Sequence, residues 1–224
     1  MERKKKKMIF KMVILIIGAL VIVGGIFGVR IYQLSQVTTG EKISTDLSSK
    51  SALLVLDVQN DTLGIKEYGN TDSLMENINS AVRYAQNNNI DIVYTKQEFS
   101  NPIDKLMSGQ LYEKNTNGSE LSSLLDVSSS NIFSKEKTDA FSNSELEEYL
   151  LKEKITTLYI VGADASACIF KTSLGGKVRG YEVIILEDSI FSINDKLLNS
   201  SIENYAKKDI KTCTLSDFMK QKTN

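Results

Sequence analysis

Three side chains in this 224-residue sequence stand where reactive groups are commonly placed. Asp57 directly follows the apolar run Ala52-Leu53-Leu54-Val55-Leu56, Lys135 comes just after Asn131-Ile132-Phe133, and Cys168 lies six residues beyond Gly162. A carboxylate at the end of a buried run is partly desolvated, which raises its pKa and suits it to take a proton. A lysine at a strand end can stabilise developing negative charge. A cysteine in the first turn of a helix meets free N–H groups and the positive end of the helix dipole, so a lowered thiol pKa is expected at Cys168. Those N–H groups can also form an oxyanion hole.

Each residue has a plainer reading beside the reactive one. Asp57 can cap the turn at Gln59-Asn60-Asp61. Lys135 and the nearby Lys137 can be solvated loop lysines, and Cys168 can be a small core residue, which is how Cys213 reads inside its apolar pattern.

Composition narrows the chemistry. The chain has no histidine, so the commonest metal ligand and general base are missing. Two cysteines cannot build a four-cysteine zinc site or a dense disulfide scaffold. Hydrolysis would therefore run on Asp, Glu, Lys, Cys, Ser or Tyr.

The elements that must position these groups alternate. Ala52–Leu56 reads as a strand buried on both faces, and Leu74, Ile78, Ala81, Val82 and Ala85 recur at helical spacing up to Asn87-Asn88-Asn89. Ile90–Tyr94 is a second strand, and a third includes Asn131-Ile132-Phe133. Ser142-Asn143-Ser144-Glu145 reads as a capping box opening a helix through Leu151. Leu158–Val161 is a fourth strand, followed by a helix to about Val178 with Gly180 as its stop. Val183–Leu186 is a fifth strand, residues 195–206 a helix, and Ile210–Leu215 a sixth strand. Such alternation predicts an α/β fold with a parallel sheet and right-handed crossovers. The stretch from Gln97 to Ser130, with the only proline, reads as a long irregular loop, and loops of that length are usually functional. In open α/β sheets ligands sit beyond the carboxyl ends of the strands, where Asp57, Lys135 and the Cys168 helix all fall.

The first 50 residues differ in kind. Residues 1–7 form a basic tail, and from Met12 to Val29 run 18 uncharged residues. At about 1.5 Å per residue, that run is just long enough to cross a hydrocarbon core of about 30 Å. Residues 8–30 therefore read as one transmembrane signal anchor rather than a cleaved signal peptide, whose apolar core is shorter. Six bases precede the span and Arg30 follows it, which predicts a cytoplasmic N-terminus, an extracellular remainder and a single-pass location in the cell membrane. Residues 31–50 read as a polar linker to a domain over 51–224. Residues 1–30 sum to +6 from seven bases and one acid, and the other 194 residues to −7 from 20 bases and 27 acids. The basic signal belongs to the tail, so no nucleic-acid partner is expected.

Taken together, Asp57-Val58-Gln59-Asn60-Asp61 after an apolar strand, Lys135 six residues before Phe141, and Gly162-Ala163-Asp164-Ala165-Ser166-Ala167-Cys168 followed by Thr172 and Gly180-Tyr181 resemble the isochorismatase-like cysteine hydrolases, over about Ser51 to Leu215. The resemblance implies a three-layer α/β/α sandwich around a mostly parallel six-stranded sheet, with an Asp57-Lys135-Cys168 catalytic triad. It further implies a cis peptide between Ala163 and Asp164, an oxyanion hole from the backbone N–H groups of Asp164 and Cys168, and a substrate pocket touching Thr62 and Phe141. The chemistry it implies is attack of Cys168 on a small amide-type substrate, loss of the amine with a proton from Asp57, and hydrolysis of the thioester, with no cofactor. A thiol favours an amidase over the branch that cleaves a vinyl ether, which does not need one. The nicotinamidase members that this chain resembles hold a metal through an Asp and several His; Thr95-Lys96-Gln97-Glu98-Phe99-Ser100 cannot build that site. The family usually has an aromatic where Thr62 stands and a Thr where Ala165 stands. Relatives commonly form dimers or tetramers, so a homo-oligomer is a further expectation. The alternative to an enzyme is a non-catalytic binding or scaffolding domain at the membrane, favoured by Thr62 and the 97–130 insert.

Overall fold

The computed structural model describes residues 2–44 and 50–220, and the chain divides into two compact units, residues 1–34 and 35–224. In the first unit, α1 (Glu2–Leu34) is a single helix whose apolar side chains, Leu15, Leu20 and Val21 among them, are exposed. Among the described residues it is the one helix long and apolar enough to cross a membrane.

The second unit is built on six parallel strands in the order β3-β2-β1-β4-β5-β6: β1 (Ser51–Leu56), β2 (Asp91–Gln97), β3 (Ile132–Lys135), β4 (Thr157–Gly162), β5 (Glu182–Ile190) and β6 (Lys211–Cys213). Central strands must be apolar on both faces, and in β1 successive side chains serve opposite cores. Ala52, Leu54 and Leu56 join one core with Leu146, Leu150, Ile169 and Tyr205, from α5 (Ser144–Lys152), α6 (Cys168–Val178) and α7 (Asp195–Ala206). Leu53 and Val55 join the other with Met75, Ile78, Val82 and Phe218, from α3 (Asp72–Asn87) and α8 (Leu215–Lys220). The result is the three-layer α/β/α sandwich that the resemblance implied, on the parallel sheet that the alternation predicted.

Local differences have local causes. Asn143, not Ser142, caps α5: its side chain accepts from the N–H groups of Glu145 and Leu146, while Ser142 closes a 3-10 turn over Ala140–Ser142. The third strand begins one residue later than expected and runs through Lys135, and the sixth is shorter. The 97–130 stretch is not irregular throughout. It contains α4 (Pro102–Met107), capped by the Asn101 side chain with Pro102 in the first turn, and two isolated bridges, Gln59 with Leu121 and Phe99 with Glu113. A shorter helix, α2 (Asn60–Leu63), follows β1.

Part of the segment expected as a free linker is bonded to the domain. Thr38 donates through N and Oγ1 to Asp139 Oδ2 at 2.7 and 2.6 Å, and Ile43 N donates to Arg179 O at 2.8 Å. Arg179 is 1% exposed; it pairs with both oxygens of Glu147 at 2.9 Å, donates to Thr38 O at 3.0 Å and lies 4.5 Å from the Phe141 ring centre. Residues 45–49 of that segment, and 221–224 of the domain, lie outside the described residues.

Candidate active site

The carboxyl ends of β1 and β4 meet with Leu56 opposite Gly162. The chain builds outward from β1 through β2 to β3, then returns to build β4 to β6 on the other side, so this pair is the switch point at which open sheets bind ligands. Gly162 is needed there: its φ is +112°, and a Cβ would fall 2.1 Å from Leu56 O.

Asp57, one residue past β1, has φ +55°, a left-handed conformation uncommon outside glycine but one that aspartate adopts more readily than most residues. Its backbone is fixed on three sides. Asp57 N donates to Thr95 O at 3.1 Å, while Gln59 N and Thr62 Oγ1 donate to Asp57 O at 3.0 and 2.6 Å. The carboxylate, in a residue 3% exposed, accepts from Thr95 Oγ1 through Oδ1 at 2.7 Å. Oδ2 pairs with Lys135 Nζ at 2.8 Å, and a carboxylate oxygen so paired keeps a second lone pair that can accept a proton.

Lys135 is the last residue of β3, and its ammonium donates to Gln97 Oε1 at 2.7 Å, Lys137 O at 3.2 Å and Cys168 Sγ at 3.4 Å. Burial works against its charge, but Asp57 and Cys168 outweigh that and hold its pKa above the ordinary lysine value. It is a fixed cation bridging the carboxylate and the thiol.

Cys168 opens α6 and is half-buried. Its titration departs from the sequence expectation. Burial pushes the thiol up, Lys135 pulls it down, and the Asp57 charge pushes it up again, to about 12. The helix terminus favours a thiolate by a modest amount, whereas desolvation beside a carboxylate acts directly on the sulfur and wins. The resting group is a thiol near the Asp57 carboxylate, and Cys168 and Cys213 are both free.

The loop into α6 presents backbone donors. The Ala163–Asp164 peptide is cis. Ala163 N donates to Leu56 O, Ala165 N to Phe191 O, and Ala167 N and Ile169 N to Asp164 O. Ser166 N is taken by Asp164 Oδ1 at 2.9 Å. Ala167, at the helix entry, gives no side-chain cap. The N–H groups of Asp164 and Cys168 have no acceptor among the described residues.

The expected pocket residues separate. Thr62 is buried against Asp57, with its hydroxyl also 3.1 Å from Tyr112 Oη. Phe141 instead packs in the core, 3% exposed, stacked on Tyr181 at 5.7 Å and beneath Arg179. Its 3-10 turn puts the ring on the α5 and α6 side of the sheet.

Several site residues were missed from sequence. Gln97 and Gln59 brace the triad: Gln97 N donates to Gln59 Oε1 at 2.8 Å, and Gln59 Nε2 to Gln97 O at 2.9 Å. Their signal was slight: Thr95 and Gln97 are buried, but the same strand carries Asp91 and Lys96, so polarity alone did not set them apart. Tyr68 and Tyr112 carried no such signal. Tyr68 Oη lies 3.4 Å from Asp164 Oδ2, and burial, followed by the charge of Asp164, holds its phenol far above the ordinary value.

The metal-binding region of the resembled nicotinamidases corresponds here to residues already engaged, Thr95 with Asp57 and Gln97 with Lys135. Among the described residues no group of three or more His, Cys, Asp or Glu could hold a metal ion. The residues present do not fit that metal.

A family model, the isochorismatase domain, matches residues 51–217. Solved structures share the fold. An isochorismatase-like hydrolase from Alkaliphilus metalliredigens superposes with a TM-score of 0.67 at 21% identity, covering 76% of this chain and 98% of its own. A pyrazinamidase from Pyrococcus horikoshii in complex with zinc has a TM-score of 0.63 at 22% identity, covering 74% of this chain and 99% of its own. An N-carbamoylsarcosine amidase from Thermoplasma acidophilum has a TM-score of 0.63 at 19% identity, covering 74% of this chain and 96% of its own. No curated protein matches the sequence significantly.

Proposed function

Because the chain belongs to the isochorismatase family, a family of hydrolytic enzymes, we propose that it is a membrane-tethered cysteine hydrolase that cleaves the C–N bond of a small amide. The observation that carries this reading is the Lys135 ammonium placed 2.8 Å from Asp57 Oδ2 and 3.4 Å from Cys168 Sγ at the carboxyl edge of the sheet.

Asp57 Oδ2 takes the Cys168 proton as the sulfur attacks the amide carbon, and the new S–C bond places negative charge on the former carbonyl oxygen. The N–H groups of Asp164 and Cys168 receive that oxyanion. Collapse breaks the C–N bond, and Asp57 returns the proton to the departing nitrogen, leaving a thioester and a neutral amine. Asp57 then takes a proton from water, the hydroxide adds to the thioester carbon, and the thiol leaves with that proton. Lys135 holds the two reactive groups together and offsets whichever of them is charged. Thr62, which favoured a binding-only domain, weighs less for that reading because its hydroxyl helps fix Asp57.

The tether is α1, oriented with its basic end in the cytoplasm, which puts the hydrolase domain outside the cell. Alkaline extraction should leave the chain in the membrane pellet, and protease added to intact cells should degrade residues 51–224. For activity, the detergent-solubilised full chain is screened with small primary amides for ammonia release, and an acyl adduct on Cys168 is sought by mass spectrometry. Release abolished by Cys168→Ala is the expected result; release that survives that substitution refutes the mechanism.

A further inference from the structure

Tyr112 belongs to the stretch between β2 and β3 and to none of the motifs above, yet its hydroxyl reaches the site. Its partner there is the Thr62 hydroxyl at 3.1 Å, and Thr62 Oγ1 lies 2.6 Å from Asp57 O. A carbonyl oxygen can only accept, so the single Thr62 proton is committed to Asp57. The contact between the two hydroxyls therefore has one polarity, with Tyr112 donating and Thr62 accepting. Burial pushes the Tyr112 phenol up, the contact with Thr62 pulls it part of the way back, and the charges of Asp57, Cys168 and Asp61 push it up again, to about 12, so it keeps this proton at neutral pH. With the proton spent, the phenolic oxygen still has lone-pair capacity and can only accept.

The residue is held in place for this role. Tyr112 has φ +58°, a left-handed conformation that is a true outlier for a bulky side chain. Asp61 Oδ2 accepts from Tyr112 N at 2.6 Å, Phe99 N donates to Tyr112 O at 2.8 Å, and the Phe99 ring meets the Tyr112 ring edge to face at 6.5 Å. Asp61 and Thr62 are adjacent in α2, so one short helix fixes both the backbone and the hydroxyl of Tyr112. Strained positions persist where the surroundings over-determine them, and they gather at sites of function.

We propose that Tyr112 determines specificity, its hydroxyl oxygen accepting a hydrogen bond from an N–H of the substrate amide. The site then selects neutral amides bearing at least one N–H over esters of the same acyl group. This rests on the hydrolase reading above and names its substrate class.

The test uses two reagents that differ at that group, iodoacetamide and methyl iodoacetate, on the detergent-solubilised full chain. Alkylation of Cys168 is followed by peptide mapping, and each rate is divided by that of N-acetylcysteine, so the thiolate fraction cancels in the amide-to-ester ratio. One neutral hydrogen bond predicts a wild-type preference for the amide of about fivefold. Tyr112→Phe should bring the ratio close to one. Thr62→Val, which releases the Tyr112 proton, should also lower it. A ratio that survives Tyr112→Phe, or a Tyr112→Phe that slows both reagents equally, overturns the proposal. Failure of the underlying reading shows separately, as Cys168 alkylation by both reagents that does not respond to Asp57→Asn.

Discussion

Replacing Asp57 with Asn should make Cys168 easier to ionise while destroying turnover. In the wild type the thiol titrates at about 12 because burial and the Asp57 charge outweigh Lys135. Lys135 Nζ lies 2.8 Å from Asp57 Oδ2 and 3.4 Å from the sulfur, so the carboxylate and sulfur are separated by at most the sum of the two. At about 6 Å and an effective dielectric of about 20, two unit charges repel by about 3 kcal/mol, or about two pH units. Ionising the thiol creates the second negative charge, so neutralising Asp57 lowers the thiol pKa. The unopposed Lys135 cation then pulls in the same direction. At pH 9 both proteins are below their midpoints, and the alkylation rate follows the thiolate fraction, which should rise about 100-fold in Asp57→Asn. The assay is iodoacetamide labelling at several pH values, quantified on the tryptic peptide carrying Cys168 apart from that carrying Cys213. Amide hydrolysis by the same variant should be lost, because nothing takes the proton during attack. A wild-type midpoint near neutrality, or an unchanged or slower labelling rate in Asp57→Asn, would refute the reasoning.

Lys135→Met should destabilise the chain by about 3–5 kcal/mol by leaving the buried Asp57 carboxylate unpaired, and Asp57→Asn in the same background should recover part of that loss. A denaturation cycle on the four proteins checks this, with simple additivity as the contrary result. Gly162→Ala should fail to fold, since the added Cβ would lie 2.1 Å from a main-chain oxygen, whereas Gly69→Ala, at φ +67° with open space around it, should cost about 1 kcal/mol. Expression yield and melting temperature separate the two, and equal effects would contradict the steric account. Arg179→Met removes the Glu147 pair and the bond to Thr38 O, so amide exchange at residues 38–43 should accelerate; unchanged protection there would mean that other contacts hold the segment.

The strands and the order of the triad could be read in the sequence because they depend on local patterns. Five apolar residues before Asp57 can only suit a strand covered on both faces, and the fold requires its carboxyl end to be where the next residue acts. What escaped depends on contacts across long separations. The resemblance implied a pocket role for Phe141, but its 3-10 turn sets the ring in the core under Arg179. The 38–43 segment has a linker's composition, and its docking place is made by Asp139 and Arg179, 101 and 141 residues away from Thr38. Tyr112 is brought to Thr62 by a strained loop that no periodicity describes. The thiol pKa was misjudged for a related reason: the helix terminus is visible in sequence, while the burial and the Asp57 charge that oppose it exist only after folding.

The raised thiol changes what the proposed outward location demands. A cysteine with a low pKa is mostly thiolate, the form that oxidants attack, and a permanently ionised nucleophile outside the cell would be exposed to them. Burial and the Asp57 charge raise the thiol pKa, so Cys168 rests as a thiol at neutral pH. In the proposed mechanism reactivity is created during attack, when the proton moves to Asp57 Oδ2 and negative charge passes to the substrate oxygen. Lys135 has a matching role, since its ammonium touches both the donor and the acceptor of that proton and is not itself consumed. A proton that shuttles between two groups held by one cation suits a nucleophile that must stay intact between encounters with its substrate.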